Sequence, residues 1–281
     1  MENKIRIASY GPNEEVLVDR LDDDCGIYVI TMNDPDSFNT MSVPWMKAVA
    51  EAFNTMSERL DPDPNNDEVR AIILRGEGRG FAIGLDVSNL DDYFSGGISG
   101  ETDPWKAIWD CPFPVIGAVN GPAVTGGFEI ATACDVLLAS PRAVFMDNHA
   151  KYGVHPGRRL SQRLIHIVGV NNAKFVTMSS FPIEANLAHT MGLVQQIYQT
   201  NEELERAAID LSRMISKNHP MMVKRYKSLI DQGVMGTYAE GLALEKESDN
   251  TFYEELTNLQ ATLADGGTKF RELVAWVAAR K

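Results

Sequence analysis

The chain has 281 residues, 44% of them apolar and 23% charged, with a formal net charge of −13. That length and balance suit one large soluble domain, or a domain with a helical appendage, and a substantial buried core. The acidity argues against nucleic acid as a partner, because phosphates would be repelled, and no apolar run reaches the length needed to cross a bilayer.

Two apolar, β-rich runs open the chain, Glu15 to Leu21 and Ile27 to Met32, with an acidic turn at Asp22-Asp23-Asp24 between them. Met46, Val49, Ala50, Phe53 and Met56 recur at helical spacing and predict a helix from Val43 to about Leu60. A loop with two prolines follows over residues 61–67, then Val69 to Leu74, a continuous apolar run typical of a strand buried on both faces. Arg75 to Asp86 is a glycine-punctuated loop, and the polar, glycine-rich stretch from Asp91 to Pro104 is expected to be mobile. Pro114 to Val119 is a second buried strand, which leads through the loop Asn120 to Gly127 into a helix from Phe128 to Cys134. Short strands are predicted at Val136 to Ala139 and Ala143 to Met146. Beyond Leu160 the pattern is mostly helical, with a last strand at Leu193 to Tyr198 and helices near 201–217, 219–232, 237–249 and 267–280. The expected class is an α/β core with an α-helical C-terminal part.

Cys25, Cys111 and Cys134 are scattered and odd in number, so they read as reduced thiols, and neither they nor the five histidines show a metal-ligand spacing. The N-terminal Met1-Glu-Asn-Lys-Ile-Arg lacks the apolar core of a signal peptide, which makes the cytoplasm the expected location.

The two glycine loops carry the chemistry. Each follows a buried strand at its C-terminal end, where open α/β sheets place ligands. The second runs straight into a helix, so the N–H groups near Gly126 and Gly127 are unpaired helix-start donors. Two such groups converging on one oxygen make an oxyanion hole; the plainer reading is a pair of tight turns. Gly76, Gly78 and Gly80 fit a dinucleotide fingerprint poorly, because no helix follows them.

Gly80-Phe-Ala-Ile-Gly-Leu-Asp86 and the long run from Pro114 to Asp135, with Asn120-Gly-Pro-Ala-Val-Thr-Gly-Gly-Phe-Glu129 at its centre, resemble the two motifs of the crotonase (enoyl-CoA hydratase/isomerase) superfamily. Further matches extend from Asn39 through Glu240-Gly-Leu-Ala-Leu-Glu-Lys246. The resemblance implies a ββα spiral core over residues 1–200 and a helical oligomerisation region over 201–281, assembled as a homotrimer or a hexamer of two trimers. It implies an oxyanion hole made by the N–H groups of Leu85 and Gly126, with Ala82, Gly84, Asp86 and Gly127 beside the substrate and Glu129 as a catalytic acid/base. The implied substrate is an acyl-CoA or another small carbonyl compound, with coenzyme A as part of the substrate and no tightly bound cofactor.

Three departures qualify that picture. The family's second glutamate falls in register on His149, which is suited to proton transfer near neutral pH but also to a place in the pocket wall. After His155-Pro-Gly157 come Arg158 and Arg159, able to bind an anionic substrate group or to pair with the protein's own acids. The segment before Asn39 carries Asp34 and Asp36 where relatives often have bases for the nucleotide; Arg79, Lys224, Arg225 and Lys227 are the remaining candidates for that contact. The expected function is enoyl-CoA hydration or isomerisation. The alternatives are a crotonase-fold hydrolase that cleaves a β-dicarbonyl C–C bond without CoA, and a non-catalytic acyl-CoA-binding protein.

Overall fold

The computed structural model describes residues 3–22, 25–60, 68–86, 91 and 93–255. Residues 23 and 24 of the acidic turn, the loop at 61–67 and the helix predicted over 267–280 lie outside them. The chain divides into two compact units, Met1–Lys227 and Ser228–Lys281.

Among the described residues the first unit holds two sheets. The larger has the order β1-β2-β3-β4-β6-β8-β11, formed by Lys4–Tyr10, Val16–Leu21, Ile27–Met32, Ala71–Gly76, Val115–Val119, Val136–Ala139 and Gln196–Ile197. Its first three strands pair antiparallel and the rest parallel. The smaller sheet has the order β10-β9-β7-β5, from Ile183–Glu184, Val144–Met146, Ala123–Val124 and Ala82–Ile83. The chain alternates between them: β4 is followed by β5, β6 by β7 and β8 by β9, so each turn of the path adds one strand to each sheet.

The apolar runs follow from burial on both faces of the main sheet. Tyr28, Ile30 and Met32 of β3 and Ile72 and Leu74 of β4 enter the large core with Trp45, Val49 and Phe53 of helix α1 (Val43–Ser57). The alternate residues Ile27, Val29 and Ile73 face a second core closed by Leu204, Ala208 and Ile209. These three lie on a helix at Asn201–Ser216 that packs directly on the sheet, so the first unit reaches past residue 200 to residue 227. Fully burying each such aliphatic side chain contributes roughly 1.5–3 kcal/mol.

The remaining helices of the first unit, in chain order, are α2 (Pro104–Trp109), α3 (Gly126–Ala133), α4 (His149–Tyr152), α5 (Leu160–Val168), α6 (Val170–Ser179), α7 (Ala185–Thr190), α8 (the Asn201–Ser216 helix) and the first part of α9 (Pro220–Gly233). The stretch expected to be mobile contains short helical turns at Tyr93–Gly97 and Gly100–Thr102, and the Asn54 side chain of α1 donates to the Glu101 carbonyl (2.8 Å). In the second unit α10 (Tyr238–Glu255) opens on a reciprocal cap: the Glu240 carboxylate accepts from Thr237 N–H (2.7 Å), while Thr237 Oγ1 accepts from Glu240 N–H (3.3 Å).

Candidate active site

Both glycine loops end beside each other, at the C-terminal ends of the neighbouring parallel strands β5 and β7. After β5, Met41 N–H donates to Gly84 O (3.0 Å) and Asp86 N–H donates to Met41 O (3.2 Å), a single parallel bridge from Met41 to Leu85. In such a bridge the middle residue's own N–H and C=O turn to the other side. Leu85 N–H therefore faces away from Met41. After β7, Thr125 takes a positive φ of 51°, strain that costs on the order of 1–3 kcal/mol and turns the strand sharply into α3. Gly126 is the first residue of that helix, so its N–H belongs to the donors that have no intrahelical partner. The two segments touch, with Gly84 N–H donating to Val124 O at 2.9 Å. A β-carbon on Gly84 would lie 3.8 Å from the Gly126 nitrogen.

Packing explains the residues around these donors. Asn39 is fully buried and its amide donates to the carbonyls of Glu77, Gly80 and Phe81 (3.1–3.2 Å) while accepting from Asp34 N–H (2.8 Å), which fixes the first loop. A β-carbon on Gly127 would lie 1.8 Å from the Ala82 carbonyl oxygen, so helix α3 abuts β5 with no side chain between them. Trp105 of α2 donates its indole N–H to the Gly126 carbonyl (3.1 Å) and so holds the second loop from below.

One turn into α3, Glu129 is 3% exposed. Its Oε1 accepts from Arg158 N–H (3.1 Å). Burial pushes its carboxyl up to about 7, and the charge of Asp147 adds to that; His149, the Arg158 N–H and the Arg158 charge pull the other way. His149 opens α4, 6% exposed, with Nδ1 at 2.6 Å from Asp147 Oδ1, which also accepts His149 N–H (3.0 Å). Desolvation opposes the imidazolium, yet the Asp147 hydrogen bond and the charges of Glu129 and Asp147 outweigh it, so the histidine is raised above its ordinary value. A carboxyl held near neutrality next to a basic imidazole is an arrangement for moving protons.

Arg158 joins the two parts. Beyond its N–H to Glu129, its guanidinium pairs with Asp103 (2.7 Å), donates to the Tyr93 hydroxyl (3.3 Å) and lies 5.0 Å from the Trp105 ring centroid. Pairing with the protein's own acid, one of the two roles open to it from the sequence, is present as the Asp103 contact. Arg159 stacks over Trp109 at 5.0 Å, with Arg163 at 4.1 Å. Arg79 is exposed on the first loop and stacks on Phe38 (4.7 Å), and Lys227 is paired with Asp135. His155 is exposed, in the turn before α5.

Residues 22–273 match the family model described as enoyl-CoA hydratase/isomerase. The chain belongs to the enoyl-CoA hydratase/isomerase family. The chain is 37% identical over 256 residues to a protein named probable enoyl-CoA hydratase 1, peroxisomal, of Arabidopsis thaliana, covering 91% of this chain and 90% of that one. Among solved structures it resembles an enoyl-CoA hydratase from Bacillus anthracis, with a TM-score of 0.79, 26% identity and coverage of 92% and 96%. It also resembles a monofunctional enoyl CoA isomerase from M.smegmatis, with a TM-score of 0.67, 26% identity and coverage of 81% and 97%. The α/β fold is thus the crotonase fold, and the protein is an acyl-CoA-transforming enzyme of the hydratase/isomerase family. The CoA-independent C–C hydrolase and the non-catalytic binding protein are not favoured.

Gly84 and Gly126 are brought together, Leu85 follows Gly84, Glu129 stands one helical turn past Gly126, and the charge of His149 acts on Glu129. Asp147, Asp103, Tyr93 and Trp105 were not singled out by sequence. Asp147 left a readable trace, an acid two residues before a histidine at a helix start. The partners of Arg158 lie 55 and 65 positions away and left none.

Proposed function

We propose that the protein hydrates a 2-enoyl-CoA thioester across its Cα=Cβ bond. The thioester oxygen lies between the N–H groups of Leu85 and Gly126, where charge develops as the enolate forms; losing one such donor typically costs roughly 2.7–4 kcal/mol of barrier. Glu129, as carboxylate, takes a proton from the water that attacks Cβ, and His149 supplies the proton at Cα. Coenzyme A enters as part of the substrate, with the exposed Arg79 available to its phosphates and no tightly bound cofactor in the reaction. The observation that carries this reading is that the segments following β5 and β7 meet at Gly84 and Gly126, with the Leu85 N–H turned away from Met41, the Gly126 N–H at a helix start, and a buried carboxyl raised to about 7 one helical turn further on.

Crotonyl-CoA tests it directly. The enoyl absorbance is expected to fall on addition of protein, with product 3-hydroxybutyryl-CoA, and to persist with Glu129→Gln. Persistence with the native protein refutes hydration. Isomerisation is the second reading, favoured by the single carboxylate, Glu129, at the two family positions. Under it, 3-enoyl-CoA gains conjugated absorbance in the absence of any 3-hydroxyacyl product.

We further propose a homotrimer, or a hexamer of two trimers, with the C-terminal helices at the contacts. The exposed Ile230, Met235, Tyr238 and Leu242 support it. Light scattering on the eluting protein tests it, and a monomer at micromolar concentration rules it out.

A further inference from the structure

Asp147 is 3% exposed and spends one oxygen on its neighbour twice, accepting the His149 backbone N–H at 3.0 Å and meeting the ring Nδ1 at 2.6 Å. A carboxylate oxygen already accepting one N–H is a pure acceptor, so the ring nitrogen that faces it carries the hydrogen. In the neutral imidazole, Nε2 is then the bare, basic nitrogen. Neither Nε2 nor Glu129 Oε2 has a hydrogen-bond partner among the described residues. Both atoms keep a hydrogen-bonding capacity that no described residue uses. The turn itself is rigidly placed, since Met146 O accepts from Thr125 N–H (2.7 Å) and Asn148 N–H reaches Thr125 Oγ1 (3.4 Å). Thr125 is the strained residue that precedes Gly126, so the histidine turn and the second backbone donor share one support.

We propose that Asp147 is a positioning residue that fixes His149 as the Nδ1–H tautomer and makes Nε2 the atom that exchanges the Cα proton. This inference rests on the hydratase reading and assigns the second proton-handling position of that site. The step balances as follows. Water loses a proton to the Glu129 carboxylate as its oxygen bonds to Cβ. The C=C pair moves into the enolate, and the enolate carbon takes the proton from imidazolium Nε2. Glu129 is left protonated and His149 neutral, and transfer of that proton from Glu129 to Nε2 through solvent restores the starting pair.

The charged groups acting on His149 are Glu129 on α3 and Asp147 in its own turn. Lys151 of α4 lies over the Tyr152 ring at 5.9 Å, and Lys174 of the adjoining α6 is exposed. Both acids hold the proton on His149, so removing Asp147 should lower the pH at which the ring titrates.

The test combines kinetics with nitrogen NMR of histidine-labelled protein. Asp147→Asn should lower kcat on crotonyl-CoA by about 10–100-fold while KM changes less than about threefold. Its pH–rate profile should shift to lower pH, and Asp147→Glu should recover part of the rate. In a His149→Ala background, Asp147→Asn should cost nothing further, because it acts only through the ring. An equal loss in both backgrounds overturns the proposal. The NMR arm needs no turnover. The neutral His149 ring, assigned by its absence in His149→Gln, should show Nδ1 protonated in the native protein; an Nε2–H tautomer overturns the inference even if the Asp147 variants misfold. If the native protein leaves all enoyl-CoA untouched, the hydratase reading fails, and this spectrum still decides the tautomer.

Discussion

The two halves of the site are built from different materials. The Leu85 and Gly126 half is made of backbone, and its geometry is imposed by hard contacts: Gly127 against Ala82, Gly84 against the end of β7, Asn39 under the first loop. The Glu129, His149 and Asp147 half is made of buried side chains, and what matters there is charge. A sheet junction can be damaged only by changing its shape, whereas a buried carboxyl can be disabled with its shape intact. Substitutions that respect one half and offend the other should therefore separate folding from turnover.

The largest effect is expected from Glu129→Gln, which keeps volume and removes the acid/base. Activity on enoyl-CoA should fall about 10²–10⁴-fold in steady-state assays, with an unchanged circular dichroism spectrum. Gly127→Ala does the opposite. Its β-carbon would have to occupy space 1.8 Å from the Ala82 oxygen, so unfolding in urea should show a loss on the order of 3 kcal/mol, or no folded protein.

Next comes a pH effect on stability. The folded state holds the Glu129 proton up to about 7, against an ordinary value of 4.5, so it binds more protons than the unfolded chain between those limits. Stability therefore falls as pH rises through that window, by an amount on the order of 3 kcal/mol. The raised His149 acts in the same sense: its contribution is whole below its ordinary value and is lost as pH rises through the folded one. Glu129→Gln should flatten most of this decline and melt higher than the native protein at pH 8. A decline equally steep in that variant would show that the carboxyl is not held as described.

Smaller still is Trp105→Phe, which deletes the indole N–H bonded to the Gly126 carbonyl. The cost should be about 1 kcal/mol in stability, with a few-fold loss in kcat as the second loop loosens. The mildest prediction concerns the thiols. Burial raises Cys111 to about 11 and pushes Cys134 up as well, so neither should react with a thiol reagent at neutral pH until the protein unfolds.

What the sequence disclosed follows the same division. The strands β3, β4 and β6 were legible because burial on two faces leaves an unbroken apolar run. The first strand, Lys4–Tyr10, was not, because as an edge strand it alternates charges and exposed residues. The two-residue strands β5 and β7 are too short to leave a period, so in the sequence the loops follow the main-sheet strands directly. The helix expected from Phe128 starts two residues earlier, because Thr125 makes its turn before the glycines, and this sets Gly126 first among the donors. Helix α2 escaped notice because it spans only six residues, and its Trp105 gains meaning only across the gap to Gly126. Family motifs gave Leu85, Gly126 and Glu129. The pairing of Arg158 with Asp103 is a matter of three-dimensional path that no local pattern encodes.

The contact between Ala82 and Gly127 acts as a mechanical stop. With no compressible side chain at that seam, the gauge between the first loop and the start of α3 is set by carbonyl and α-carbon radii alone, and mutation elsewhere cannot tune it. Variants selected for a bulkier or longer acyl group would then have to change residues elsewhere and leave the seam itself untouched.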